Sequence, residues 1–357
     1  MFESFGFETL TAPQASVYFA LIIGVLFGVL AQITKFCFRR AIVGEDRRAA
    51  AGVWLTALAV AVIGTQAAVA GGYISFDEHR FMAADVPVLA IALGGLLFGA
   101  GMVLTRGCVS RLTVLAGSGN LRAAIVVLTF AVVAHMTLKG VLAPLRTTLG
   151  ATTVNMGDAV TLANLPGGAV VWSAVIALAA LAYALRSGNS AGMLILAALI
   201  GLLVPAAWVG TGFVLYDDFD PIALESLSFT SPAADTLFWS IASTSIAPGF
   251  GTGLIAGVLA GALLSSLIFG GFQWQSFEGP RQTGRYLAGA GLMGIGGVLA
   301  GGCTLGAGLS GVPTLSVAAI LAIVMIAVGG KLTDLLLNQG ASSDVAPSAT
   351  RPLQPAE

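Results

Sequence analysis

The chain of 357 residues is 57% hydrophobic and 9% charged, with 47 glycines and a mean hydropathy of +0.94. A globular domain carries about 25% charged residues, so this composition excludes a soluble fold and defines a polytopic membrane protein whose first partner is the lipid bilayer. With 16 Lys plus Arg against 17 Asp plus Glu, no basic field of the kind that nucleic acid requires is present.

The N-terminal stretch MFESFGFETLTAPQ holds two glutamates and no basic region ahead of its apolar run. The first run is therefore expected to remain a membrane span and not a cleaved signal. A span needs about 20 mostly apolar residues. Such runs fall near 15–34, 49–71, 88–105, 123–143, 167–185, 190–213, 250–270, 286–301 and 313–337, predicting an all-α architecture of about nine spans. A further stretch, 236–249, is cut by Pro248 and Gly249 and predicts a half-helix. The runs that end near Cys108 and Cys303 break in glycine. Hydrocarbon tolerates loosened backbone only where protein or a cavity covers it, which points to re-entrant loops.

Charge gives the orientation. Lys35, Arg39, Arg40, Arg47 and Arg48 crowd the first connection, Arg186 marks the middle one and Arg281 with Arg285 a late one. By the positive-inside rule these face the cytoplasm. The connection around 214–235 carries five acids and no Lys or Arg, and the one at 72–87 is also net acidic, so both belong outside. Residues 338–357 are polar and small, and a disordered tail is expected there.

The segments ending at Cys108 and Cys303 repeat one another. GGLLFGAGMVLTRGC (94–108) and GAGLMGIGGVLAGGC (289–303) are identical at eight of fifteen positions, including the closing Gly-Cys. LFGVLAQITKFC (26–37) echoes the same pattern, with Lys35 over Arg106 and Cys37 over Cys108, and a fourth echo at 257–266 places Ser266 at the cysteine position. The expected division is a first repeat half at 1–165, a second at 166–337, and the tail. Such halves commonly enclose a substrate path near the midplane, where broken helices meet.

The chemistry centres on the cysteines. In GGCTLGAGLSGVP, Gly301, Gly302, Gly306 and Gly308 let the backbone turn closely around Cys303 and Thr304, so that N–H groups converge as an anion nest. Gly107 plays the corresponding part at Cys108. Arg106 and Arg111 flank Cys108, and Lys35 and Arg39 lie beside Cys37; guanidinium groups there can guide an oxyanion or simply anchor the span ends. The three thiols are odd in number and read as isolated and buried, with no resolving partner. They lack metal-ligand spacing, and the only histidines are His79 in a loop and His135 in a span, one turn from Lys139. The Gly24/Gly28, Gly95/Gly99 and Gly253/Gly257/Gly261 spacings read as helix-packing faces. No Walker loop or dinucleotide fingerprint is present, and no metal, cofactor or catalytic group is expected.

The runs K-F-C-F-R-R-A at 35–41, R-G-C at 106–108 and G-G-C-T-L-G-A-G-L-S-G at 301–311 resemble the cysteine motifs of the YeeE/YedE family, across nearly the whole chain. The resemblance implies a thiosulfate importer of the bacterial inner membrane that feeds sulfur to cysteine synthesis, and not an enzyme. It also implies a small cytoplasmic TusA-like partner and an hourglass of two inverted halves whose cysteine loops meet centrally. Cys303, Cys108 and Cys37 would be its functional thiols. Arg106, Val109 and Ala307 depart from the pattern and bear on substrate preference. Thiosulfate carries hard oxygens and one soft sulfur, which a protonated thiol can contact as a weak S–H donor. A ladder of neutral thiols is therefore expected to pass the ion along. The competing readings are another sulfur or selenium species, a membrane thiol-redox enzyme, and a structural protein with inert cysteines.

Overall fold

The computed structural model describes residues 10–277 and 279–343. Thirteen α-helices follow in order: α1 Ala12–Thr34, α2 Phe38–Val43, α3 Arg47–Ala70, α4 Val88–Leu104, α5 Val109–Gly117, α6 Leu121–Lys139, α7 Ala143–Gly150, α8 Gly168–Leu185, α9 Ala191–Val209, α10 Thr230–Ile241, α11 Phe250–Ile268, α12 Pro280–Leu299 and α13 Val317–Ser343. Among the described residues, strand is confined to a two-residue pair, Asp85–Val86 against Val154–Asn155, antiparallel in the register Asp85↔Asn155. Among the described residues, nine helical segments are long and apolar enough to cross a membrane.

Local signals set the helix starts. At α1, Thr11 and Gln14 form a capping box, and Pro13 occupies the first turn, where its missing N–H costs nothing. Asn120 Oδ1 accepts from the Ala123 N–H at 3.0 Å to open α6, and Ser190 Oγ accepts from the Met193 N–H at 3.3 Å to open α9. Pro205 lies inside α9 and removes one ladder donor; five residues on, the helix widens into a π turn over Gly210–Val214.

Some expected boundaries move. The half-helix forms as α10, upstream of the expected 236–249, and Pro248 and Gly249 instead precede α11. Arg281 and Arg285 lie within α12 and not in a loop, because Pro280 starts that helix early. Helix α13 continues to Ser343, past the expected start of the tail, and residues 344–357 lie outside the described residues.

Helix pairs are held by small residues. Gly24 and Gly28 of α1 lie against the backbone of α11 around Leu254–Ala262, and Gly95 and Gly99 of α4 lie against α13 at Met325–Gly330. Without a hydrophobic driving force between helices in lipid, this close backbone approach supplies the association through dispersion contacts. The pairing α1–α11 has a counterpart in α3–α9, and α4–α13 has one in α6–α12, with α4 and α12 also in mutual contact. Burial rises toward the centre. Helix α8 is only 17% buried and shows Val170, Leu178 and Leu185 to its surroundings, whereas the α12 segment through Thr314 is 78% buried. At the centre, Phe27 packs on Phe36 and Phe229, with ring centroids 6.2 and 5.7 Å away.

At Gly257 an added Cβ would run into the Leu21 carbonyl and the Gly24 Cα. Gly257→Ala should therefore destabilise the α1–α11 pair by about 1–3 kcal/mol, read as a lower melting midpoint in detergent, whereas Gly192→Ala, with open space around it, should leave the midpoint unchanged or higher.

Candidate functional site

Three spans stop inside the bundle and restart as short helical pieces. Helices α1, α4 and α12 end at Thr34, Leu104 and Leu299, and two residues before each cysteine the backbone turns left-handed: Lys35 at φ 51°, Arg106 at φ 59° and Gly301 at φ 74°. A left-handed residue ends a helix and redirects the chain while satisfying its last carbonyls. Phe36 N–H donates to Ala31 O at 3.1 Å and Gly107 N–H to Met102 O at 3.0 Å, closing two of these turns. Each cysteine then becomes the residue that caps the next piece: Cys37 for α2, Cys108 for α5, and Cys303 for a π-helical turn over Thr304–Gly311. Ser266 has no such place. It sits within α11, donating to the Leu263 carbonyl at 2.8 Å, in a helix that runs on to Ile268.

All three thiols are buried, with exposures of 7% for Cys37, 1% for Cys108 and 0% for Cys303. They are not isolated from one another, as the sequence led us to expect. Cys37 Sγ and Cys108 Sγ lie 3.9 Å apart, and Cys108 Sγ is 3.3 Å from Ser110 Oγ. Thr304, fully buried, lies close enough to Cys108 to interact with its sulfur, yet its hydroxyl closes no hydrogen bond. Its neighbour Cys303 accepts from the Gly306 N–H at 3.4 Å, and the Leu305 and Phe229 N–H groups also face that sulfur. Converging amides of this kind favour an electron-rich partner. Gly302 allows the loop to fold on itself, since a Cβ there would press on the Ala307 amide. Gly306 and Gly308 lie against Ser228 and Trp54, and Gly107 against Leu112.

The expected anion guides separate into groups. Arg111 is half-buried beside the thiol pair: its Nη1 donates to Ala31 O at 3.1 Å and Gln32 Oε1 at 3.3 Å, and its charge acts on both Cys37 and Cys108. Lys35 and Arg106 are exposed, and Arg39 is half-exposed with a buried Nε that has no partner. Arg40 pairs with Asp46, holding that carboxyl below its ordinary range. His135 stacks on Phe238 at 4.5 Å and Lys139 is exposed, and both act electrostatically on Asp235.

Sequence reasoning missed the cavity that reaches the turn after Cys303. It occupies about 620 Å³ between the 71–87 and 215–229 connections, and its lining includes Arg80, Glu225, Trp208 and Ser228. It reaches Gly306 and Ser310, so the Cys303 turn forms its floor. Ser310 Oγ donates to the Leu227 carbonyl at 2.7 Å and ties that floor to the 215–229 connection. Burial lowers the pKa of His79 to about 4, leaving the imidazole neutral at physiological pH, and burial also pulls Arg80 down from its ordinary value. Burial and the nearby Asp235 push Glu225 up, against the pull of Arg80. The one available signal was Arg80 itself, a lone cation in a net acidic connection.

A helix bundle that buries three cysteines, each at the start of a restarted helical piece, has a counterpart among known sequences. Residues 27–332 match the family model described as sulphur transport. The chain belongs to that family. It is 25% identical over 321 residues to the thiosulfate transporter TsuA of Escherichia coli strain K12, covering 81% of this chain and 85% of that one. It is 24% identical over 356 residues to the thiosulfate transporter TsuA of Spirochaeta thermophila, covering 88% and 96%. The family match takes in all three cysteine turns and most of the membrane-crossing segments.

The left-handed turns give a stability test. Gly301 is the one of the three positions where no side chain is strained, since a non-glycine residue in this conformation costs about 1–2 kcal/mol. Gly301→Val should lower the melting midpoint, whereas Lys35→Gly and Arg106→Gly should hold or raise it; a drop with Lys35→Gly would mean that the turn depends on the lysine side chain.

Proposed function

We propose that this protein carries thiosulfate across the bacterial inner membrane, moving it along its cysteine thiols for sulfur assimilation and cysteine synthesis. The observation that supports this most is the order of the soft groups. The cavity ends on the Cys303 turn, Thr304 leads from that turn to Cys108, and Cys37 lies 3.9 Å beyond. Arg111 and the basic first connection follow. The relatives named as thiosulfate transporters support the choice of ion.

In this reading the 71–87 and 215–229 connections face outside and the basic connections face the cytoplasm, as the positive-inside rule directs. Residues 1–165 and 166–337 act as two inverted halves, and the matching helix pairs α1–α11 with α3–α9 and α4–α13 with α6–α12 support that division. Thiosulfate arrives as a dianion, and its terminal sulfur meets Cys303 as a neutral S–H while backbone amides of the turn face its charge. It then passes to the Cys108–Cys37 pair, where one S–H can lie between the two sulfurs and be lent to the ion. Each contact is weak, and conduction needs that: a site must admit an ion and release it. Arg111, with Lys35, Arg39 and Arg106 farther out, draws the anion toward the cytoplasm. A small TusA-like protein is the receiving partner there. Thr304, Gly301, Gly302, Gly306, Gly308 and Gly107 shape the turns and contribute no chemistry of bond making.

One observation favours a second reading. Two thiols 3.9 Å apart are placed for disulfide exchange, as a membrane thiol-redox enzyme would require. Uptake of sulfur-labelled thiosulfate separates the two. Cells lacking other thiosulfate importers and expressing this protein should take up label that excess sulfate does not displace, and Cys303→Ala at matched expression should return uptake to background. Mass spectrometry of the working protein should find all three cysteines unmodified. A trapped persulfide or mixed disulfide, or full uptake by Cys303→Ala, would overturn the thiol ladder.

A further inference from the structure

The cavity above Cys303 holds two opposite charges that do not pair. Arg80 and Glu225 both line it and act on each other electrostatically, yet Arg40–Asp46 is the one salt bridge among the described residues. Neither side chain has a hydrogen bond among the described residues; the Arg80 guanidinium is placed 5.1 Å over the Phe81 ring, and Glu225 is held only through its backbone, by Thr211 Oγ1 at 2.8 and 3.1 Å. Both are exposed to the cavity, although protein surrounds them on most sides. A guanidinium held that way keeps a planar fork of donors free for an oxyanion. A second group is also unsatisfied: Trp208, 3% exposed, lines the same cavity, and its buried indole N–H has no partner. The Arg80 fork, open to a polar cavity, marks a place for an acceptor that the protein does not itself supply, with the unsatisfied Trp208 N–H buried in the wall behind it.

We propose that this cavity is an oxyanion docking site in which Arg80 receives the anion and Glu225 is a proton-linked counter-charge, neutralised as the anion binds. The inference rests on the transport reading above and adds to it the residues that admit the ion. With Glu225 ionised, its charge cancels that of Arg80 and repels a dianion. With Glu225 protonated, Arg80 stands alone and the carboxyl O–H becomes a further donor. The proton comes from the solution on that side and returns to it when the anion moves on toward Cys303. The other groups facing Glu225 do not reproduce this effect. His79 is already neutral, Tyr216 lies on the same connection, Asp235 is an acid that favours proton uptake at Glu225, and Glu78 is a further acid lining the cavity.

The sign follows from linkage. The raised carboxyl binds a proton above the ordinary range, so anion affinity rises as pH falls toward that titration, by up to about tenfold per pH unit for one linked proton. The test uses the full chain in lipid nanodiscs and equilibrium binding of sulfur-labelled thiosulfate between about pH 5 and 8, beside uptake in cells. Wild type should bind more tightly at the acid end. Glu225→Gln should bind tightly with a flat pH profile, Arg80→Gln weakly at every pH, and Arg80→Lys should recover part of the affinity, which separates lost charge from a misfolded loop. A flat wild-type profile, or affinity unchanged in Arg80→Gln while wild-type uptake is intact, would overturn the docking site alone. Absence of both binding and uptake in wild type at every pH would overturn the transport reading and the docking site together.

Discussion

A helix that stops inside a bilayer leaves amides and carbonyls that water cannot reach, and each costs several kcal/mol unless protein satisfies it. The site depends on meeting that constraint three times. A left-handed residue at 35, 106 or 301 closes the outgoing helix, and the cysteine two places on opens the next piece. The thiols are therefore held by backbone geometry, not by loops free to wander. At the third turn, amides left over from breaking the helix face the Cys303 sulfur. Glycine-mediated pairs such as α1–α11 and α4–α13 keep the surrounding spans close enough to cover the broken backbone.

Electrostatics divides the proposed path into unlike parts. At the cavity one cation, Arg80, stands among the acids Glu225 and Glu78, with His79 neutral. Around Cys303 backbone amides face the sulfur, and the Arg80 charge acts on it from the cavity. At the thiol pair, Arg111 supplies a cation that is itself tied to the Ala31 carbonyl and Gln32. Free guanidinium groups lining the whole route would trap a dianion, whereas tethered and compensated ones hold it loosely.

Much of this could be read from residue order. Hydropathy located nine spans because hydrocarbon demands about 20 apolar residues in a row, and the glycine breaks near Cys108 and Cys303 located two of the three turns, although Lys35 and Arg106 hold the left-handed position at two of them. What failed were properties of three-dimensional neighbourhood. Cys37 and Cys108 are 71 residues apart in the chain, and nothing local to either reports the 3.9 Å between their sulfurs. Ser266 matched a cysteine by alphabet while its helix simply continues, since composition in an apolar chain imitates homology. The Arg80 cavity is assembled from two connections and a helix face, each unremarkable alone. The α10 boundaries moved because Pro248 and Gly249 act as a helix's leading edge and not as a break within one.

Two walls of that cavity share a less common geometry. The α9 side widens into a π turn at Gly210–Val214, five residues after Pro205, and the floor at Thr304–Gly311 is π-helical as well. A π turn holds one residue more than an α turn, and such turns recur at functional positions. Relaxing either one to α geometry would shift its side chains by about 1.5 Å along the axis and about a quarter-turn around it. For the floor, that rotation would carry Gly306 and Ser310 away from the cavity as a set. The two π turns thus meet the same cavity, one from the α9 wall and one from the floor beyond Cys303.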